Sequence, residues 1–375
     1  MEMTRKAFIQ TLAGAAAAAS IPISSASEST PAPAAATKMK LGATVYSYGA
    51  DIRSGSMTLE DCIADMGGEG IEILGEAHVP DYPNPSEKWV AQWFGWMEKY
   101  KVKPSGYDTF VDSMFYSNRM LTTDEAAERL AVDFKLANRL GFKALRQQWP
   151  PYPADNKADE INAPYVKSKQ AMETIMKALP AAEKYDVRMG IELHSPTQLK
   201  SGFVDSILEV IAKTKTKHFG FCPDFSAFVR RPQRRTLAGL VQQGARKNII
   251  DYIASAYEQR LGPEKTVAEV KKMGGNEIEL RYAGIAGVYH LSNNDPKDLA
   301  PLVPYVYHVH AKFYEITDAL REYSIPYEEI LPVLDKGGYT GYLSSEYEGP
   351  REDHTTSAAI RAHHAMCRSI LGITA

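Results

Sequence analysis

The sequence predicts an α/β fold, a (βα)8 TIM barrel with a long insertion between strands 6 and 7. Eight short apolar segments alternate with amphipathic segments of helical period, and such regular alternation favours a parallel sheet. The chain has 375 residues, which accommodates one barrel after an N-terminal export segment. A doubly wound open sheet is the alternative, but no Gly-rich dinucleotide fingerprint follows the first strand.

The predicted elements follow one another in the order that a barrel requires. Strands are expected at 40–46, 70–74, 102–107, 142–146, 187–192, 218–224, 305–310 and 341–346. The intervening helices are expected at 58–67, 86–100, 123–140, 163–185, 203–212, 326–334 and 355–371. Trp89, Trp93 and Trp96 recur at helical spacing in the second helix, which is more typical of a core or interface stripe than of a substrate platform.

The connection between strands 6 and 7 is far longer than one βα unit requires. An insertion of about 228–300 is therefore expected, with helices near 237–261 and 263–273 and a short strand at 277–282. It also contains a basic run at 230–235. Because βα-loops of barrels lie over the active-site face, this insertion is a candidate lid or partner surface.

The N-terminus has the pattern of an export signal. Arg5 and Lys6 precede an alanine-rich apolar stretch, and 24–26 offers small residues for cleavage. The stretch 4–9 resembles a twin-arginine signal with Lys in place of the second Arg. Gln10 and Pro22 interrupt the apolar run, which favours cleavage over the alternative of a membrane anchor. We therefore expect a signal peptide at 1–26, a linker at 27–38, a barrel at 39–375 and a periplasmic or secreted mature chain without a membrane span.

Composition argues against two classes of protein, general nucleic-acid binders and disulfide-stabilised scaffolds. The formal net charge of -3 provides no general basic footprint for nucleic acid. Three widely spaced cysteines do not form a disulfide framework, and Cys222 fits best as a small core residue.

Four of the predicted strands end in residues that bind metals. Glu192, Asp224, His310 and Glu346 end strands 5, 6, 7 and 8, and the carboxyl ends of barrel strands line one mouth. Each residue alone is more typical of a helix cap or a satisfied core group. Together, three carboxylates and an imidazole indicate a divalent cation, because crowded carboxylates repel one another without one. Alternation places His308 on the same face as His310 but deeper.

The ligand set also restricts the identity of the metal. Oxygen ligands with one imidazole suit Mn²⁺ best, with Mg²⁺, Co²⁺ and Zn²⁺ as alternatives.

Four motifs contain the candidate ligands in chain order: Gly190-Ile191-Glu192, Pro223-Asp224, His308-Val309-His310-Ala311-Lys312 and Ser345-Glu346. Together they resemble the metal tetrad of xylose-isomerase-like barrels, the sugar phosphate isomerase/epimerase superfamily. The resemblance implies that the metal polarises a sugar carbonyl while Glu192 and Glu346 move a proton as base and acid. It implies a further set of residues around a small sugar or glycoside substrate. That set comprises Tyr46, Glu76, His78, Arg146, Gln147, Gln148, Trp149, His194 and Lys312.

A closer resemblance concerns the opening Leu41-Gly42-Ala43-Thr44-Val45-Tyr46, the stretch Gly70-Ile71-Glu72-Ile73, the Trp-rich helix and the long insertion. These are similar to the larger subunit of bacterial C-glycoside deglycosidases and related 3-oxo-glycoside-cleaving enzymes. The resemblance implies proton removal beside a 3-keto group and elimination of the aglycone. It also implies a histidine for acid/base work, and His194 is the candidate. A homo-oligomer or a small partner subunit is the expected protein assembly.

Three other functions remain open from the sequence. They are a plain ketose isomerase or epimerase, a non-catalytic periplasmic sugar-binding protein, and a DNA-repair endonuclease of the same barrel class. The last is disfavoured, since few His residues end strands and a basic DNA face is absent from the charge pattern.

Overall fold

The computed structural model describes residues 37–110, 121–147, 169–289, 293–349 and 355–373. In this part of the chain eight parallel strands form one sheet, in the order β6-β5-β4-β3-β2-β1-β8-β7. Their bounds are β1 Lys40–Thr44, β2 Gly70–Leu74, β3 Lys103–Thr109, β4 Ala144–Gln147, β5 Arg188–Leu193, β6 Phe219–Pro223, β7 Val309–Phe313 and β8 Tyr342–Tyr347. Two isolated parallel bridges, Phe221 to Val306 and Asp224 to His310, link the two outer strands. The sheet is thus a nearly closed barrel, which confirms the predicted fold class.

Helices follow the strands as the periodicity predicts. Their bounds are α1 Leu59–Asp65, α2 Glu87–Tyr100, α3 Thr123–Arg139, α4 Lys169–Tyr185, α5 Gly202–Thr214, α6 Arg234–Gln242, α7 Lys247–Glu258, α8 Pro263–Lys272, α9 Glu277–Tyr289, α10 Tyr327–Lys336 and α11 Thr356–Leu371. Short helical segments occur at Val45–Tyr48, Gly49–Ser54, Gly75–His78 and Phe225–Phe228, and a 3₁₀ helix occurs at Pro296–Tyr305. In α2, Trp93 is fully buried and stacks on Trp89, so the Trp stripe packs on the core.

Strand alternation separates an apolar layer from a polar interior. In β5, Met189 and Ile191 belong to the apolar core, whereas Glu192 contacts Arg146 of the neighbouring β4 and His310 of β7 inside the barrel. In β8, Ser345 points outward to His363 of α11, and its neighbours on either side therefore point inward. The helices thus cover the barrel with apolar side chains and leave its interior to polar ones.

Four helices, α6 to α9, lie between β6 and β7. They share an apolar cluster of their own that includes Ile249, Ile253 and Val270. The predicted strand at 277–282 is wrong, because this stretch begins helix α9. Asn276 and Glu279 explain the difference: each side chain accepts a hydrogen bond from the other residue's backbone N–H, which is the capping box of a helix start.

Strand β7 begins later than the sequence predicts. A 3₁₀ helix at Pro296–Tyr305 uses the chain up to Tyr305, and the strand starts at Val309 instead of residue 305. The helix contains Pro301 and Pro304, which cannot donate to a ladder. His310 is therefore the second residue of its strand rather than the last, and Lys312 lies nearer the mouth.

Three further observations concern the cysteines, the helices and the predicted segments outside the described residues. Cys62, Cys222 and Cys367 are free and buried. None of the helices in the described residues combines the length and apolarity needed to cross a membrane. The predicted signal peptide at 1–26, nearly all of the linker at 27–38, and the candidate residues Gln148 and Trp149 lie outside the described residues.

Candidate metal centre

Four side chains from four strands converge inside the barrel. Nδ1 of His310 lies 2.9 Å from Oε1 of Glu192, 3.5 Å from Oε2 of Glu346 and 3.9 Å from Oδ2 of Asp224. All four residues are buried. Barrel closure explains the convergence, since Glu192 is the penultimate residue of β5, Asp224 follows β6 and bridges to His310, and Glu346 lies in the neighbouring β8.

The carboxylates leave oxygens that fit a cation. Oε2 of Glu192, Oδ2 of Asp224 and Oε2 of Glu346 are buried and have no hydrogen-bond partner within the described part of the chain. Glu192, Asp224 and His310 each offer one ligand atom, and these atoms lie within 4.8 Å of one another. Buried acceptor atoms are costly when unpaired, so the donor set is suited to a divalent metal ion.

Arg146 and Lys312 bring positive charge to these acids. Nη2 of Arg146 lies 3.3 Å from Oε1 of Glu192. Burial raises the pKa of Glu192, but the charge of Arg146 and the close contact with His310 outweigh it and lower the pKa to about 2. Burial likewise raises the pKa of Asp224, and the ammonium of Lys312 reverses this to hold it below its usual range. For Glu346 burial prevails, and its pKa stands well above the ordinary value.

A chain of hydrogen bonds leads from Lys312 to the mouth. Nζ of Lys312 lies 2.9 Å from Nε2 of His194, whose Nδ1 lies 2.6 Å from the carbonyl oxygen of Ser195. The ammonium can only donate, so Nε2 of His194 accepts and Nδ1 carries the hydrogen. The same Nζ lies 3.2 Å from Oε1 of Glu348, which accepts a hydrogen bond from the hydroxyl of Tyr46. Tyr46 is 51% exposed, so this chain ends at the barrel surface.

A second polar layer lies beside the candidate metal centre, and its side chains share contacts with Glu72 of β2. One oxygen of Glu72 lies 2.7 Å from Nε2 of His310, and the other lies 2.8 Å from Nε2 of His308 and accepts from the hydroxyl of Ser344. The prediction that both histidines share one face agrees with these contacts. Glu72 is missing from the predicted site, although Gly70-Ile71-Glu72-Ile73 repeats the pattern of Gly190-Ile191-Glu192-Leu193.

Two other acids were not singled out from the sequence. Asp108 of β3 is buried, 3.6 Å from Nε2 of His310 and 3.7 Å from Nε of Arg146. Burial, reinforced by the charge of Glu72, raises the pKa of Asp108 to about 6. Glu348 follows β8. Asp108 is the penultimate residue of its strand and Glu348 comes directly after β8, so both lie at strand ends, which is the same signal that identified Glu346.

Two candidate substrate residues have partners within the protein. Glu76 forms an ion pair with Arg129 at 2.7 Å. Nδ1 of His78 accepts a hydrogen bond from the backbone N–H of Leu74, where β2 ends. Burial lowers the pKa of His78 to about 4. Each residue therefore stabilises the loop after β2.

A family model described as xylose isomerase-like TIM barrel matches residues 61–370. The chain belongs to the xylose isomerase-like TIM barrel family. This confirms the predicted resemblance at the level of the family.

Relatives within the family are named as enzyme subunits. The chain is 27% identical over 356 residues to the 3'-dehydrocarminate deglycosidase alpha subunit of a Microbacterium species, covering 89% of this chain and 95% of the relative. It is 28% identical over 321 residues to a C-glycoside deglycosidase alpha subunit of Arthrobacter globiformis, covering 83% and 85%. These names bear out the prediction that the xylose isomerase-like chain is an enzyme.

Solved structures agree on the fold. The IOLI protein, crystallised with a zinc atom, superposes with a TM-score of 0.51 at 14% identity over 89% of this chain and 98% of that one. A sugar phosphate isomerase/epimerase from Parabacteroides distasonis gives 0.51 at 12% identity over 90% and 97%. At these identities the likeness shows the shared barrel.

Proposed function

We propose that the chain is the metal-dependent catalytic chain of an enzyme that cleaves 3-oxo-glycosides. The observation that carries this proposal is the convergence of Glu192, Asp224 and Glu346 on Nδ1 of His310, with three carboxylate oxygens that have no hydrogen-bond partner among the described residues. The relatives named as deglycosidase alpha subunits support the substrate class. Mn²⁺ is the proposed metal, with Mg²⁺, Co²⁺ or Zn²⁺ as alternatives.

Glu192, Asp224, His310 and Glu346 would hold the cation, which supplies Lewis-acid polarisation of the sugar carbonyl. Glu192 and Glu346 lie on opposite sides of His310 in the barrel order, as the base and acid of the reaction. One carboxylate takes the proton from the carbon beside the 3-keto group. The electron pair of that C–H bond forms a double bond to the anomeric carbon, and the aglycone leaves with the electrons of its bond.

The departing aglycone needs a proton. His194 is the proposed donor, because Lys312 donates to its Nε2 and the barrel mouth lies beyond it. In such a relay Nε2 of His194 would take a proton from Nζ of Lys312, while Nδ1 would give its hydrogen, now directed at the carbonyl of Ser195, to the departing aglycone. Arg146 holds Glu192 in its ionised form through their 3.3 Å contact.

The remaining assignments complete the proposal. Tyr46 at the mouth contacts the sugar or the aglycone, and the loop with Glu76 and His78 borders the substrate, as do Gln148 and Trp149. The mature enzyme is periplasmic or secreted through the signal at 1–26. It acts with a smaller partner subunit, or as a homo-oligomer, and the words "alpha subunit" in the relatives' names support a partner.

The products of the reaction test the proposal. A manganese-loaded sample, alone and co-produced with its candidate small subunit, is incubated with a 3-keto-glucoside bearing a chromogenic aglycone. Release of free aglycone supports elimination, whereas conversion of the sugar with its aglycone retained indicates a plain isomerase or epimerase. Glu192→Gln and Glu346→Gln should each reduce the rate at least about 100-fold, while Glu173→Gln, at a half-exposed acid of α4, changes it little.

Metal analysis separates the enzyme from a sugar-binding protein. The proposal expects about one divalent ion per chain, lost with activity on chelation. Sugar affinity that is unaffected by a chelator, in a chain without bound metal and without turnover, would refute it.

A further inference from the structure

The two ring nitrogens of His310 face different partners. Nδ1 faces the oxygens of Glu192, Glu346 and Asp224, at 2.9, 3.5 and 3.9 Å. Nε2 faces Glu72, at 2.7 Å. A neutral imidazole carries one N–H, and the hydrogen bond that one nitrogen makes decides which nitrogen remains free to bind a metal.

Glu72 is held firmly enough to determine which nitrogen of His310 remains free to bind a metal. Its second oxygen receives hydrogen bonds from His308 and Ser344, and the residue is fully buried. Gly106 encloses the layer on the β3 side, since a Cβ there would lie 2.5 Å from Nε2 of His308 and 3.1 Å from Cδ of Glu72. The carboxylate therefore has little freedom to rotate away from His310.

Asp108 is the other acid beside Nε2 of His310. Its nearest oxygen is 3.6 Å away, beyond hydrogen-bond distance, whereas that of Glu72 is 2.7 Å away. Glu72 is therefore the acceptor for this nitrogen.

We propose that Glu72 is a positioning residue of the metal centre, which accepts the Nε2–H of His310 and so presents Nδ1 as the ligand atom. This inference rests on the proposed metal centre and adds a residue that does not touch the ion. A carboxylate behind a ligating histidine fixes the tautomer and ring orientation, and its loss typically weakens metal binding about 10- to 100-fold.

The first experiment measures Zn²⁺ affinity by competition with a chromophoric chelator. Glu72→Gln retains one acceptor oxygen for two imidazole N–H donors, so we expect Zn²⁺ to bind about 10- to 100-fold more weakly. Asp133→Asn is the matched control. Asp133 is also a buried carboxylate, and it accepts from Tyr82, Tyr107 and Thr109 without a contact to the four ligands among the described residues. Its affinity should stay within about threefold of the wild type.

The outcomes separate the inference from the proposed function. Equal Zn²⁺ affinity of Glu72→Gln and Asp133→Asn, with the wild type binding Zn²⁺, overturns the role of Glu72 and leaves the metal centre standing. A wild type that binds no divalent ion overturns both.

A second experiment observes the tautomer in the wild type and does not depend on the folding of Glu72→Gln. Nitrogen NMR of the Zn²⁺-loaded, 15N-histidine-labelled chain reports which nitrogen of His310 carries the hydrogen, and the spectrum of His308→Gln separates the two histidines. We expect a protonated Nε2 and a metal-bound Nδ1. A metal-bound Nε2 overturns the inference.

Discussion

Lys312→Met removes a positive charge from the most acidic part of the barrel interior. Nζ of Lys312 lies 3.3 Å from Oδ2 of Asp224, 3.6 Å from Oε2 of Glu346 and 3.2 Å from Oε1 of Glu348, and its side chain is only 2% exposed. Methionine is unbranched and close in length, so packing changes little. The substitution therefore removes the charge, together with the hydrogen bond to Nε2 of His194, at little change in volume.

The contacts determine the expected magnitude. Each carboxylate at such a distance attracts the ammonium by about 5 kcal/mol at an effective dielectric constant of about 20, and the desolvation of both partners offsets most of this. Removing one partner of a buried pair costs about 3–5 kcal/mol. For a domain of this size that corresponds to a fall in Tm of about 4–7 °C.

Thermal unfolding with a chelator present measures the effect. Lys177→Met is the control, since Nζ of Lys177 also contacts two carboxylates, Asp124 and Glu173, both at 2.8 Å, but is 35% exposed. An exposed pair contributes about 1 kcal/mol or less, so Tm should fall by no more than about 3 °C. Mn²⁺ should recover part of the loss in Lys312→Met, because a cation can neutralise the same acids. Equal Tm values for the two variants would refute the reasoning.

Three further substitutions test separate parts of the structure. His78→Asn removes a histidine whose pKa burial lowers to about 4. Between that value and about 6.5, only the unfolded chain takes up the imidazole proton. From pH 7 to pH 5, the unfolding free energy measured in urea should therefore fall by about 2 kcal/mol more in the wild type than in the variant. A parallel decline contradicts this. Glu279→Gln weakens the contacts of a buried carboxylate to the backbone N–H and guanidinium of Arg246. The rate of hydrogen exchange should rise in α7 to α9 and not in the barrel, because the local stability falls by about 1–3 kcal/mol. An equal rise in both parts refutes this expectation. Gly106→Ala places a Cβ 2.5 Å from Nε2 of His308 and should lower the unfolding free energy by about 1–3 kcal/mol, so an unchanged urea midpoint contradicts it.

The barrel was predictable because its signal is repeated. Alternation of apolar strands with amphipathic helices recurs eight times, and small errors at each boundary leave the topology intact. Short apolar runs carry less information. The stretch at 277–282 satisfies a strand pattern, and the capping pair Asn276 and Glu279 was the local signal for a helix.

The candidate site was predictable where an acid ends a strand. Glu192 and Glu346 are penultimate residues of β5 and β8, and the structure places both beside His310. Glu72 lies in the middle of β2. An acid at such a position does not indicate which residues of other strands it faces. Its partners come from β7 and β8, more than 200 residues away along the chain. Such pairing depends on barrel closure, which a single sequence does not encode locally.

The seam between β6 and β7 gives the metal centre a second consequence. Strand β6 meets β7 through isolated bridges rather than a continuous ladder, and one bridge joins Asp224 to His310. An ion shared by these two residues would crosslink points on the order of 90 residues apart, and the helices α6 to α9 would lie inside the closed loop. Covalent closure of a loop that long stabilises a fold by roughly 4–5 kcal/mol. The cation would thus be a reversible crosslink between β6 and β7. Chelation would weaken the contact between these two strands before it exposed the apolar core.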